Sequence, residues 1–83
     1  MASIKRKTDF SSFTYKFGQN LARIRLEQGL THVDMELYGI SRSYYGKVEL
    51  GVYSISLSKI NLIAKAFGVP VSSLFFDAEG NSI

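Results

Sequence analysis

Apolar side chains in this sequence recur at helical spacing, and a glycine falls where each run stops. Phe10, Phe13, Phe17, Leu21 and Ile24 follow one another at steps of three and four, and Leu57, Ile60, Ile63, Ala64 and Phe67 repeat the pattern further along. Such steps gather side chains on one face of an α-helix, whereas a half-buried strand needs strict alternation. Gly29, Gly51 and Gly68 stand just past the runs, where a helix closes with a left-handed residue. A chain built this way folds by packing helices against each other, and no strand is needed.

The punctuation divides the sequence into five helical segments. The first is expected over about residues 17–28, extending back toward residue 9, with Thr8 or Ser11 as its cap. Gly18 lies inside that stripe, at a helix-propensity cost of about 1 kcal/mol relative to Ala. Thr31 heads a short second segment that runs to Tyr38. Gly39-Ile40-Ser41 breaks it: glycine tolerates positive φ, Ile40 plugs the core, and Ser41 caps the next helix. That third segment runs from Arg42 to about Leu50, with Tyr45 and Val48 facing inward. Ser56 caps a fourth through Phe67, and Pro70 prevents its continuation. Ser72 or Ser73 with Val71, Leu74, Phe75 and Phe76 suggests a last helical turn, followed by a frayed polar tail over 77–83. The expected architecture is an all-α, compact five-helix bundle, with a basic arm over 1–16 and a folded domain over 17–76.

Composition excludes several classes. The chain has 83 residues and no cysteine, so disulfides, thiolate nucleophiles and sulfur-ligated metals are excluded. No run approaches the ~18 apolar residues of a membrane span, and Lys5-Arg6-Lys7 is not followed by the apolar stretch of a secretory signal. A cytoplasmic location is the expectation. The formal charge of +3 is unevenly placed. Lys5, Arg6, Lys7 and Lys16 against Asp9 give the whole excess, whereas six cations and six carboxylates cancel over residues 17–83. Net charge therefore decides little, and the placement of charge must carry the functional argument.

A short helix, a glycine-containing turn and a second helix together let one helix enter a DNA major groove while the other braces it. The spacing resembles the phage-repressor or Cro-type (XRE-like) helix-turn-helix family. Phe17-Gly18, Leu21, Ile24-Arg25 and Gly29-Leu30-Thr31 look like its first helix and the turn after it. Gly39 to Tyr45, with Val48-Glu49 and Gly51, looks like its turn and recognition helix. Ser56-Leu57, Ile60, Ile63 to Val69 and Leu74-Phe75 resemble its closing helices, so the likeness covers residues 17–76. It implies a lambda-repressor-like fold. The sequence departs from the family's pattern by one residue fewer between Thr31 and Gly39, and by Glu36, His32 and Ala22 where Ala, Gln and Arg are usual.

In the docked geometry that the resemblance implies, Arg42, Ser43, Tyr44 and Lys47 are the candidate base contacts: Arg42 and Ser43 point at base edges, Lys47 reaches a base or a phosphate, and Tyr44 stacks on a sugar or touches a thymine methyl. An arginine donates two bonds to guanine O6 and N7, and recognition helices lead with their N-terminal residues. Thr31 and His32 at a helix N-terminus, Arg25, and Tyr53, Ser54 and Ser56 after the recognition helix are candidate phosphate contacts. Each has a plainer reading as a surface, capping or packing residue. Glu49 resembles a structural position. Gly46 is explained either by close approach of DNA or by close approach of the preceding helix. Lys5-Arg6-Lys7 is either a DNA-tracking arm or a solubilising tail. Leu74, Phe75 and Phe76 form an apolar group divided between core and a dimer interface.

A single histidine without ligand-spaced partners is poor material for a metal site, and no nucleophile–base pair, HExxH or phosphate-binding glycine loop is present. The chain is expected not to be an enzyme and to take no cofactor or small-molecule ligand. The expected function is an autoregulating controller or repressor, a homodimer on pseudo-palindromic double-stranded DNA, with control resting on its own concentration. An antitoxin-type or protein-interaction module is the alternative. Arg42 and Lys47, with no acid among residues 37–48, favour DNA.

Overall fold

The computed structural model describes residues 12–83. Three α-helices, α1 (Phe13–Glu27), α2 (Arg42–Glu49) and α3 (Leu57–Phe67), alternate with two 3₁₀ helices, Val33–Tyr38 and Val71–Phe75. The bundle is all-helical as expected, with two of its five helical segments wound more tightly than α. Among the described residues no helix is long and apolar enough to cross a membrane.

Local chemistry sets the boundaries. Ser12, Ser41 and Ser56 are extended, and their hydroxyls accept from the backbone N–H groups of Tyr15, Tyr44 and Lys59, satisfying donors that lack an intrahelical partner. Helix α1 thus begins at Ser12; the expected caps Thr8 and Ser11, like the basic arm Lys5-Arg6-Lys7 and the extension toward residue 9, lie outside the described residues. The 3₁₀ helix Val33–Tyr38 fills the stretch between Thr31 and Gly39, rising about 2.0 Å per residue against about 1.5 Å for α.

The core joins all five segments. Phe17, Leu21 and Ile24 from α1 meet Met35, Ile40, Tyr45 and Val48, and Ile60, Ile63, Ala64, Phe67 and Leu74 close it from the other side. Gly18 does not interrupt α1. It is where α1 crosses the end of α2: a Cβ there would land on the backbone carbonyl oxygens of Val48 and Glu49. A buried polar residue, Asn20, pins α1 to the second 3₁₀ helix by donating from Nδ2 to the Leu74 carbonyl at 2.8 Å.

Residues 77–83, expected as a frayed tail, fold back. Asp77 Oδ1 accepts from the N–H groups of Glu79 and Asn81, both at 2.9 Å. The Ile83 N–H donates to the Phe75 carbonyl at 3.0 Å, and Ile83 packs against the core. The polar composition conceals these bonds because its carboxylate bonds the turn's own backbone.

Candidate nucleic-acid interface

The helix-turn-helix runs from the 3₁₀ helix Val33–Tyr38 through Gly39, at φ 84°, and buried Ile40 into α2. The positive φ at Gly39 turns the chain sharply, a conformation that costs glycine nothing. Tyr45 and Val48, almost without exposed surface, root α2 in the core. Anchoring that face leaves Arg42, Ser43 and Lys47 on solvent. The Arg42 side chain is 63% exposed, with its Nε 3.9 Å from Glu36. Glu36 also accepts the Arg42 N–H at 3.3 Å.

Behind α2 an ion-pair cluster fixes its far end. Arg25 donates to both Glu49 carboxylate oxygens, Nε to Oε2 at 2.7 Å and Nη2 to Oε1 at 3.2 Å. Its Nη1 donates to the Leu30 carbonyl at 2.8 Å, and His32 Nε2 lies 3.0 Å from Glu49 Oε1. Burial alone would raise the Glu49 pKa, but the hydrogen bonds and charge of Arg25 and the bond to His32 outweigh it and hold the carboxyl below its ordinary value. The bond to Glu49 raises the Arg25 pKa against the opposing effect of burial. Burial and the neighbouring Glu49 carboxylate push the Tyr45 hydroxyl up.

Several expected phosphate ligands are engaged inside the protein. Arg25 gives its donors to Glu49 and Leu30, and the Ser56 hydroxyl caps α3. The Thr31 N–H donates to Asp34 Oδ2 at 2.8 Å, and Asp34 N–H donates to the Thr31 hydroxyl at 3.2 Å. This reciprocal pair occupies the N-terminus with a carboxylate, where an open anion site was expected. His32 keeps its outer edge exposed while its ring packs edge-on to Tyr45, 5.6 Å between centroids. Gly46 faces that ring: a Cβ there would sit 3.5 Å from His32 Nδ1, an ordinary contact.

Tyr44 and the loop after α2 are tied together. The Tyr44 hydroxyl donates to the Ser54 carbonyl at 3.2 Å, and its ring lies 6.0 Å from that of Tyr53. Lys47 Nζ is 5.8 Å from the centre of the Tyr53 ring and Lys59 Nζ 5.6 Å from that of Tyr44. Lys59 was not among the residues expected at this surface; it stands in the first turn of α3, three residues after the Ser56 cap. The apolar C-terminal group also divides. Leu74 is wholly buried and belongs to the core, not to an interface. Phe75 stacks against both Phe13 and Phe17 in a cluster of three mutually touching rings, whereas Phe76 is 44% exposed.

Comparison with known proteins agrees with the helix-turn-helix fold. Residues 21–74 match the helix-turn-helix family. An immunity repressor protein of Bacillus phage phi105 is 40% identical over 58 residues, 69% of this chain but only 40% of the repressor's own length. A control protein, C.MunI, of a Mycoplasma species is 31% identical over 68 residues, covering 77% of this chain and 89% of that protein. Among solved structures, the restriction-modification controller protein C.AhdI from Aeromonas hydrophila superposes with a TM-score of 0.75 at 36% identity, covering 82% of this chain and all of that one. The DNA-binding domain of BldD gives 0.67 at 26% identity, over 75% and 92% of the two chains.

Proposed function

The chain belongs to the helix-turn-helix family, of the XRE-like type, and on that premise we propose that it is a sequence-specific DNA-binding transcription regulator, an autoregulating controller or repressor that works as a homodimer. The observation that carries the reading is the exposed face of α2. Between Ser41 and Ile60 the charged residues are Arg42, Lys47, Glu49 and Lys59. The one carboxylate is turned inward, its side chain only 8% exposed, so this stretch offers solvent positive charge alone.

Arg42 and Ser43 are the base-facing residues, with Arg42 suited to a guanine edge, and Lys47 lies one turn on, beside them. His32, Tyr53 and Ser54 flank them and hold phosphates, while Arg25, Thr31 and Ser56 act from within by fixing the helices that present them. Glu36 holds Arg42 in the free protein and must yield it on docking. One helix of this length covers about 4–5 base pairs, too few to define a genomic address. Pairing two copies through the exposed Phe76 and its neighbour Phe75 doubles the site. The names of the relatives, an immunity repressor, a control protein and a restriction-modification controller protein, support regulation of this kind.

Selection from a random-duplex library tests the reading. The recovered sites are expected to carry two related half-sites spaced by about one helical turn, with light scattering showing a dimer on the duplex. Recovery of no consensus would overturn it.

A further inference from the structure

The side chains of Lys47, Tyr53, Tyr44 and Lys59 form a continuous wall from α2, across the following loop, to the first turn of α3. The two rings lie side by side, 6.0 Å apart, with one lysine ammonium against each. Among the described residues no carboxylate comes within salt-bridge distance of either ammonium. Attraction to a ring face within about 6 Å restrains an ammonium without neutralising it. The wall therefore holds two restrained cations at the edge of the α2 face, joined to it through Tyr44 and locked to the loop by the bond from Tyr44 to the Ser54 carbonyl.

We propose that Lys59 is a DNA-backbone contact, and that Lys59 and Lys47 hold phosphates while Tyr44 positions them rather than reading a base. The inference rests on the proposed DNA-binding function and extends the contact surface from α2 onto α3. A half-buried tyrosine whose hydroxyl is already bonded to the loop, and whose ring is covered by Lys59, has little left to offer a base edge. Two ammonium groups on rigid supports, with no carboxylate nearby, match the charge of a phosphate backbone. Such contacts set affinity and salt dependence and carry no sequence information.

The experiment compares the full chain with Lys59→Gln, Lys65→Gln and Arg42→Ala on the selected duplex and on an unrelated one, across a salt series. Lys65 is an exposed lysine on the same helix, away from the wall, and reports the general effect of losing one charge. Lys59→Gln is expected to flatten the slope of log K against log salt by about 0.9 and to weaken both duplexes equally, by up to roughly eightfold near 0.1 M salt. Lys65→Gln leaves the slope unchanged. Arg42→Ala lowers affinity for the selected duplex more than for the unrelated one. An unchanged slope in Lys59→Gln, or an equal loss in Lys65→Gln, overturns the phosphate role while an effect of Arg42→Ala leaves the DNA-binding function standing. Absence of DNA binding by the parent overturns both.

Discussion

Two glycines inside helices should respond in opposite directions to the same substitution. Gly18 in α1 and Gly46 in α2 each carry a helix-propensity deficit of about 1 kcal/mol relative to Ala. At Gly46 the added methyl meets His32 at 3.5 Å, a normal packing distance. Gly46→Ala should therefore stabilise the free protein by up to about 1 kcal/mol, or roughly 4–8 °C in Tm for a chain of this size. At Gly18 the methyl meets the backbone oxygens of Val48 and Glu49. Backbone cannot rotate away as a side chain does, so α1 must lift from the end of α2. Overpacking of this kind costs about 1–3 kcal/mol and exceeds the propensity gain. Gly18→Ala is expected to lower stability by up to about 2 kcal/mol. Urea unfolding at equilibrium, read by the midpoint at constant slope, measures both. Equal or greater stability in Gly18→Ala would refute the close crossing of α1 over α2. A loss in Gly46→Ala would refute the space assigned beside His32.

Other perturbations separate the ion-pair cluster and the C-terminal group. Glu49→Gln leaves Arg25 without its buried counter-charge and should cost about 3 kcal/mol. Because the folded-state pKa of Glu49 lies below its ordinary 4.5, its ionised form stabilises the fold above that pH, and the contribution fades as the pH falls through the folded value. Urea midpoints taken from pH 7 to pH 3 should drop less steeply in Glu49→Gln than in the parent; parallel curves would contradict the assignment. Leu74→Ala should cost about 2–5 kcal/mol as a core truncation, whereas Phe76→Ser should leave stability within about 0.5 kcal/mol and weaken self-association in light scattering. The reverse pattern would contradict the division between core and surface.

The helices were legible because their determinants are local. A serine three residues ahead of the N–H it caps, or an apolar step of three or four, is visible in the sequence itself. Ser41, Ser56, Ile40 and the α1 and α3 stripes belong to this kind. What escaped depends on residues far apart in the chain. Gly18 reads as a weak helix position until α2 is laid across it. Asn20 lies in the polar gaps of the α1 stripe, yet its partner, the Leu74 carbonyl, is 54 residues away. Leu74, Phe75 and Phe76 are alike in composition, and only packing buries the first, stacks the second and exposes the third.

The candidate site divided along the same line. The exposure of Arg42, Ser43 and Lys47 followed from placing Tyr45 and Val48 inward. The engagement of Arg25 with Glu49, of Thr31 with Asp34 and of Tyr44 with Ser54 did not follow, because each partner is set by how the turns close. Lys59 joined the surface for the same reason, through a ring contributed by another helix.

The proposed function requires Arg42 to lead α2 into a major groove, and guanine N7 reports that contact directly. The measurement is methylation protection at guanine N7 on the selected duplex, with the parent and with Arg42→Ala at concentrations that saturate both. The parent is expected to protect a guanine in each half-site, and Arg42→Ala to lose that protection while keeping the outer boundaries of its footprint. Identical protection by the two proteins would contradict the proposed function.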